Sequence, residues 1–170
     1  MVLAFLDTEF HRSRRGPRLL SLALVEGADE AYFELDEPSL AGTLGNRASM
    51  FVRSQVLPQL GRVPRSAGPL DWIGERTVDW LNRRHGEAVT VHYDYATDYE
   101  LLEQLVAAAA TPLTVTLRPT HVGYLLDEET GAAAAEACWA RIAHERGLAR
   151  HHALADVLSL RARYDAVHGL

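Results

Sequence analysis

Residues 2–6 read Val-Leu-Ala-Phe-Leu, an unbroken apolar run of the kind that forms a strand buried on both faces. Residues 19–25 and 31–35 predict two more strands, and 26–30, holding Gly27, predict a hairpin between them. Residues 50–60 have mixed helical spacing, and Gly61, Pro64, Gly68 and Pro69 then punctuate a loop. Over 71–85, Ile73, Thr77, Trp80 and Leu81 recur on one helical face, with Asp71 as a candidate cap and Gly86 as the stop. A strand at 88–93 follows. Thr97 and Glu100 have the spacing of a capping box, which predicts a helix with Asp98 as its first residue and Leu101, Leu102, Leu105 and Val106 on its apolar face. A fifth strand at 113–117, an Ala-rich helix at 128–146 stopped by Gly147, and a closing helix at 153–168 complete the chain. The order implies an α/β fold with a five-stranded mixed sheet, antiparallel at its start and flanked by helices.

A length of 170 residues fits one domain, 1–170, able to bury a core of its own. The 48% hydrophobic and 24% charged fractions are those of ordinary soluble chains. No apolar run approaches the roughly 20 residues that cross a bilayer, and the amino end lacks a signal peptide's order, so a cytoplasmic location is expected. The single cysteine, Cys138, cannot form an internal disulfide and agrees with a reducing compartment. All 17 basic residues are arginine, and the net charge of -6 argues against a protein that coats nucleic acid non-specifically. An acidic total does permit an enzyme whose negative charge gathers at a cation site.

Three segments carry candidate chemistry. Asp7 and Glu9 follow the first strand two residues apart, which puts both on one face with Thr8 on the other. Two adjacent carboxylates at the end of a buried strand are costly unless a cation or proton neutralises them. A solvated strand end is the plain alternative. Asp98 opens the helix after the fourth strand, where a helix amino terminus favours an ionised carboxylate, and Asp94 at the strand end competes for the same role. His151-His152-Ala153-Leu154-Ala155-Asp156 opens the last helix, offering a carboxylate to a metal and an imidazole to a water. Together the three ends could converge on one cavity in which four carboxylates hold two hard cations roughly 3.5–4 Å apart. Arg12, Arg14, Arg15 and Arg18 would form a basic loop beside the first segment, suited to phosphates.

The phrases Phe5-Leu6-Asp7-Thr8-Glu9-Phe10, Tyr95-Ala96-Thr97-Asp98-Tyr99-Glu100-Leu101-Leu102 and His151 to Asp156 resemble, in order and spacing, the DnaQ-like DEDDh exonucleases. Within that superfamily the chain looks most like the small bacterial exoribonucleases related to ribonuclease T and the polyadenylate-specific exoribonuclease AS. The resemblance implies a ribonuclease H-like fold and two Mg2+ or Mn2+ ions ligated by Asp7, Glu9, Asp98 and Asp156. It further implies His151 as general base, and Thr8 and Phe10 beside the terminal nucleotide. The implied reaction is 3'-5' hydrolysis of single-stranded RNA to nucleoside 5'-monophosphates, with a homodimer as the family expectation. A DNA-trimming exonuclease would use the same five residues, and an inactive nucleic-acid-binding module could share the fold. A phosphatase with an acidic strand end would leave the His151 to Asp156 spacing unexplained.

Overall fold

The chain path was taken from a computed structural model, which describes residues 2–45, 48–84 and 86–170. Three antiparallel strands open it: β1 (Val2–Ser13), β2 (Gly16–Glu26) and β3 (Asp29–Leu35). After helix α1 (Glu37–Leu44) comes a one-turn π-helix (Val52–Val56) and a short 3-10 turn (Leu57–Gln59). The two-residue β4 (Ala67–Gly68) precedes α2 (Leu70–Asn82), β5 (Ala88–Tyr93), α3 (Ala96–Ala108) and β6 (Thr116–His121). A 3-10 turn (Gly123–Asp127), α4 (Glu129–Arg146) and α5 (Ala153–His168) finish the chain. Among the described residues no helix is long and apolar enough to cross a membrane.

The sheet has the order β4-β3-β2-β1-β5-β6. β1, β2 and β3 pair antiparallel, while β1–β5, β5–β6 and β3–β4 pair parallel. This is the mixed α/β sheet with an antiparallel start that the sequence predicts, with six strands among the described residues in place of the five predicted. The extra strand is β4, whose two residues pair with Glu34 and Leu35 and are too short to leave a hydropathy signal. β1 is where antiparallel pairing gives way to parallel, and in such sheets the carboxyl ends of the strands flanking the switch form a natural crevice.

Strand alternation sorts the core into two layers. Ala4, Leu6, Leu22 and Leu24 face α2 and α3, packing with Ile73, Leu81, Leu101 and Leu102. Phe5, Ala23, Val25 and Tyr32 face the other way, against Ile142, Leu154, Val157 and Leu160 of α4 and α5. Full burial of one such leucine is worth about 1.5–3 kcal/mol, so both layers are substantial anchors for whatever stands at the strand ends.

Several predicted boundaries move. β1 continues seven residues past Leu6, because Asp7, Thr8 and Glu9 stay in the ladder with β2 and leave the strand polar without ending it. The four arginines therefore do not form a loop: Arg12 and Arg18 are strand residues, and only Arg14 and Arg15 lie in the tight turn between β1 and β2. Helix α2 is capped by Pro69, and Asp71 accepts from the neighbouring Trp72 N–H at 2.9 Å; His85, its expected end, lies outside the described residues. α3 starts at Ala96, with Tyr95 as its cap, so Thr97 and Glu100 make no capping box and Asp98 is the third helical residue. The fifth predicted strand forms at 116–121, three residues later than expected. α1 escaped prediction although Asp36 caps it by accepting from Ser39 N–H at 2.9 Å and Pro38 sits in its first turn, a legible start signal.

Gly68 is a close-approach position: a Cβ there would lie 2.4 Å from the Trp72 ring, itself packed edge-on against Phe33 at 5.7 Å. Gly68→Ala should therefore lose about 1–3 kcal/mol of stability by overpacking, read as a lowered urea midpoint at unchanged m-value.

Candidate active site

Three chain segments meet at the carboxyl ends of β1 and β5. The parallel register pairs Phe5 with His92; two residues further along the chain stand Asp7, still in β1, and Asp94, just past the end of β5. One helical turn into α3, Asp98 reaches the same place. Oxygens of Asp7, Asp94 and Asp98 lie within 4.8 Å of one another, and so do ligand atoms of Glu9, His151 and Asp156. All the residues expected to carry the chemistry are thus brought together, and Asp94, expected as a competitor to Asp98, joins them instead of pointing to solvent.

Burial and mutual repulsion govern this cluster. Desolvation, then the charges of Asp98, Asp156, Glu9 and Asp94, hold the Asp7 carboxyl well above the usual range. Burial raises Glu9 to about 8, helped by the Asp156 and Asp98 charges. It raises Asp98 to about 7 and Asp156 to about 6, and lifts Asp94 as well. Local hydrogen bonds pull the other way. Thr8 faces α3 and donates its hydroxyl to Asp98 Oδ1 at 2.7 Å, so this buried side chain is directed at the carboxylate and away from the open cleft. Trp139 Nε1 donates to Asp156 Oδ1 and the His151 backbone N–H to Asp156 Oδ2, both at 2.8 Å. Trp139 carries no sequence signal, since it touches Asp156 only through the packing of α4 on α5. Arg150 lies over the Trp139 ring at 3.9 Å and pairs with Glu136.

The two histidines diverge because neither is helical. His151 holds a left-handed backbone, φ 65°, and its ring meets the edge of Phe51 at 4.8 Å. His152 is the cap of α5: its Nδ1 accepts from Leu154 N–H at 3.2 Å, and the fully buried ring stacks on Tyr32 at 4.4 Å. A 100° helical offset between them, the expectation for successive helical residues, does not apply. Burial depresses both, His152 to about 4, and the Arg150 charge adds to the effect on His151. Both imidazoles are therefore neutral at pH 7.

Beside Glu9 opens a cavity of about 330 Å³, lined by Phe10, Arg12, Phe51 and Tyr95 among others. Phe10 and Tyr95 stack at 6.1 Å with 12° between their planes, and the Arg12 guanidinium lies 5.6 and 5.8 Å from the two ring centroids while donating to the Tyr95 hydroxyl. Its position owes much to a β-bulge. β1 pairs Glu9 with Ser21 but Phe10 with Leu19, so Leu20 is the unpaired extra residue, and it packs against Val52 and Val56 of the π-helix. That contact fixes the turn carrying Phe51. Phe51 and Tyr95 were not legible as site residues, because only the fold brings them beside Phe10.

The donor set is oxygen-rich with one imidazole, the chemistry of a hard divalent cation. Asp7 Oδ2 and Asp98 Oδ2 are buried without any hydrogen-bond partner, as unfilled ligand atoms would be. The residues present therefore fit a divalent cation.

No protein-family model matches the chain, and no curated protein does. Among solved structures, the chain is similar to T. thermophilus RuvC in complex with Holliday junction substrate, at 18% identity and a TM-score of 0.47, over 99% of this chain and 96% of that one. The likeness is one of overall chain path, and no residue role transfers across it.

The raised carboxyls make a stability prediction whose sign can be worked out. A carboxyl whose folded pKa lies above its unfolded value binds more protons in the native state, so its contribution is present at low pH and lost as pH climbs through the folded value. His152 acts in the opposite sense between about 4 and 6.5, which leaves the range above 6.5 to Asp98 and Glu9. In EDTA, unfolding free energy should fall from pH 6.5 to 8.5, and Glu9→Gln should flatten the fall. Urea titrations across that range check it, and a wild-type stability that rises instead would refute it.

Proposed function

We propose that the protein is a 3'-5' exoribonuclease working with two Mg2+ or Mn2+ ions and releasing nucleoside 5'-monophosphates from single-stranded RNA. The observation that carries this is the convergence of five carboxylates, two of whose oxygens are buried and partnerless, beside a neutral imidazole and an aromatic cleft. Asp7, Glu9, Asp98 and Asp156 would hold the cations. When bound, the cations would supply Lewis-acid stabilisation of the charge that develops on the phosphate and on the leaving 3' oxygen.

The chain's own groups do the rest. His151 accepts a proton from the attacking water as the water oxygen bonds to phosphorus and the bond from phosphorus to the 3' oxygen breaks. Its depressed pKa keeps it in the base form at neutral pH, and Phe51 against its edge limits where the ring can turn. Trp139 and the His151 N–H fix the orientation of Asp156, and Thr8 that of Asp98. Phe10 offers a face for the terminal base, with Arg12 beside it for a phosphate. RNA as substrate, and a homodimer as the working state, rest on the resemblance to the ribonuclease T and AS group.

End-labelled single-stranded RNA and a matched DNA should be incubated with magnesium or manganese and the products resolved on a gel. RNA should shorten stepwise from its 3' end, chelation should abolish this, and Asp7→Ala, Glu9→Ala and Asp156→Ala should each lose nearly all of it. Wild-type turnover in excess EDTA sinks the mechanism, and equal or faster digestion of the DNA moves the substrate to DNA. Asp98→Ala should be dead and Asp94→Ala should retain activity; the reverse ranking exchanges their roles.

His151→Ala should lose roughly 10²-fold or more while keeping its metal affinity, and the acid limb of its pH–rate profile, below pH 6.5 in the wild type, should disappear. His152→Ala should stay within a few-fold of wild type in rate but melt earlier, because it removes a buried cap. Loss of metal binding in His151→Ala would make that residue a ligand and not the base.

A further inference from the structure

On the α4–α5 side of the sheet, at the β3 edge, lies a second cavity of about 410 Å³, none of whose lining residues belongs to the acidic cluster. Its charged lining is Arg62, Arg65 and Arg146 against one carboxylate, Glu30. Glu30 is already committed, since both its oxygens accept from Arg146, at 2.5 and 3.0 Å. Among the described residues Arg62 is held by neutral acceptors, its Nε donating to the Pro58 carbonyl at 3.1 Å and its Nη1 to that of Gly147 at 2.5 Å. Arg65 has no carboxylate partner among the described residues and is held at φ 64°, a backbone that non-glycine residues rarely adopt. The balance is three guanidinium groups to one carboxylate, in a chain whose net charge is -6. Two arginines whose charge no carboxylate offsets, converging on one concavity, make an anion site of the kind that recognises phosphate.

The cavity is built. Its lining includes Tyr32 and Ser66, both buried: the tyrosine hydroxyl donates to the enclosed Glu34 at 2.7 Å, and Ser66 Oγ donates to the Val63 carbonyl at 2.8 Å. Glu34 also accepts from Gly61 N–H at 2.9 Å, and this ties down the loop that carries Arg62 and Arg65. On its amino side that loop leads back through the 3-10 turn and the π-helix to Phe51, at the wall of the aromatic cleft.

We infer that the Arg62–Arg65–Arg146 cavity binds a phosphate group, supplied by a nucleic-acid strand whose end occupies the aromatic cleft. The inference rests on the nuclease reading only for the source of the phosphate. A free nucleotide would bring the same chemistry.

The test uses the full chain in EDTA, where turnover is suppressed. Anisotropy of a labelled short single-stranded RNA over a salt series, and calorimetry with adenosine 5'-monophosphate, would be compared for wild type, Arg65→Gly, Arg62→Gln and, as a control, Arg76→Ala on α2. Glycine accepts a positive φ freely, so Arg65→Gly should melt no earlier than wild type and any lost binding is not misfolding. Each of the two cavity variants should weaken RNA binding about 5- to 10-fold and reduce the slope of log affinity against log salt by about 1, while the control leaves both unchanged. If the variants lose nucleotide binding as well, the phosphate comes from free nucleotide. If neither variant changes RNA or nucleotide binding, the inference is overturned. Arg65-dependent RNA binding in a protein that cleaves nothing with either metal would leave this cavity standing and remove the nuclease reading.

Discussion

Five carboxylates gathered in two adjoining groups repel, and much of the structure is organised to hold them there. Two unit charges 4 Å apart cost about 4 kcal/mol even at an effective dielectric of 20, and burial adds to that. Against this the fold sets rigid elements in place of flexible ones. Asp7 and Glu9 are fixed by two residues of strand pleat, Asp94 by the β1–β5 register, and Asp98 and Asp156 by helix starts that packed layers hold to the sheet. Thr8, Trp139 and the His151 amide each donate one hydrogen bond to a carboxylate oxygen that would otherwise be bare. What they leave bare, Asp7 Oδ2 and Asp98 Oδ2, defines where positive charge must enter. The cluster is thus a stored electrostatic demand, which a proton or a cation can answer.

The same economy runs through the cleft beside it. One inserted residue, Leu20, leaves the β1–β2 ladder and anchors the π-helix; the π-helix carries Phe51; Phe51 meets His151. On the other side, His152 gives up its Nδ1 to cap α5 and its ring to Tyr32, and this leaves the preceding residue to swing into a left-handed backbone that costs roughly 1–3 kcal/mol. In that conformation the His151 amide reaches Asp156, and its ring stands with Glu9. A strained residue held by a bulge on one side and a buried cap on the other is over-determined, as pre-organised groups at reactive sites are.

The sequence-based reading reached the sheet and its antiparallel start because these rest on local signals, a buried apolar run, period-two alternation and helix stops, whereas the five expected residues that the fold gathers were named through the resemblance of three short phrases. It failed where a tertiary contact overrides a local preference. Thr97 and Glu100 have the right spacing for a capping box, yet the helix begins earlier, where Asp98 N–H bonds the Tyr95 carbonyl at 3.0 Å and Tyr95 is pinned by Phe10 and Arg12. Asp7 looked like a strand end because charge usually marks one, but pairing with β2 carries the strand on to Ser13. Trp139, Tyr95 and Phe51 could not be found at all. Their roles exist only through distances between segments that lie far apart in the chain.

Charge distribution would reconcile an acidic protein with the anionic substrate proposed for it. The net charge of -6 would repel a phosphodiester chain if it were spread evenly. It is not spread evenly. Five of the 23 acidic side chains gather in a cluster that protons or cations can neutralise, while Arg12 stands at the aromatic cleft and Arg62 and Arg65 line a separate concavity with no carboxylate paired to either among the described residues. With the cluster's charge compensated, what a strand meets on these faces is guanidinium and aromatic surface. The concavity of Arg62 and Arg65 shares no residue with the carboxylate cluster, so a phosphate can be met there whether a proton or a cation answers the cluster's charge.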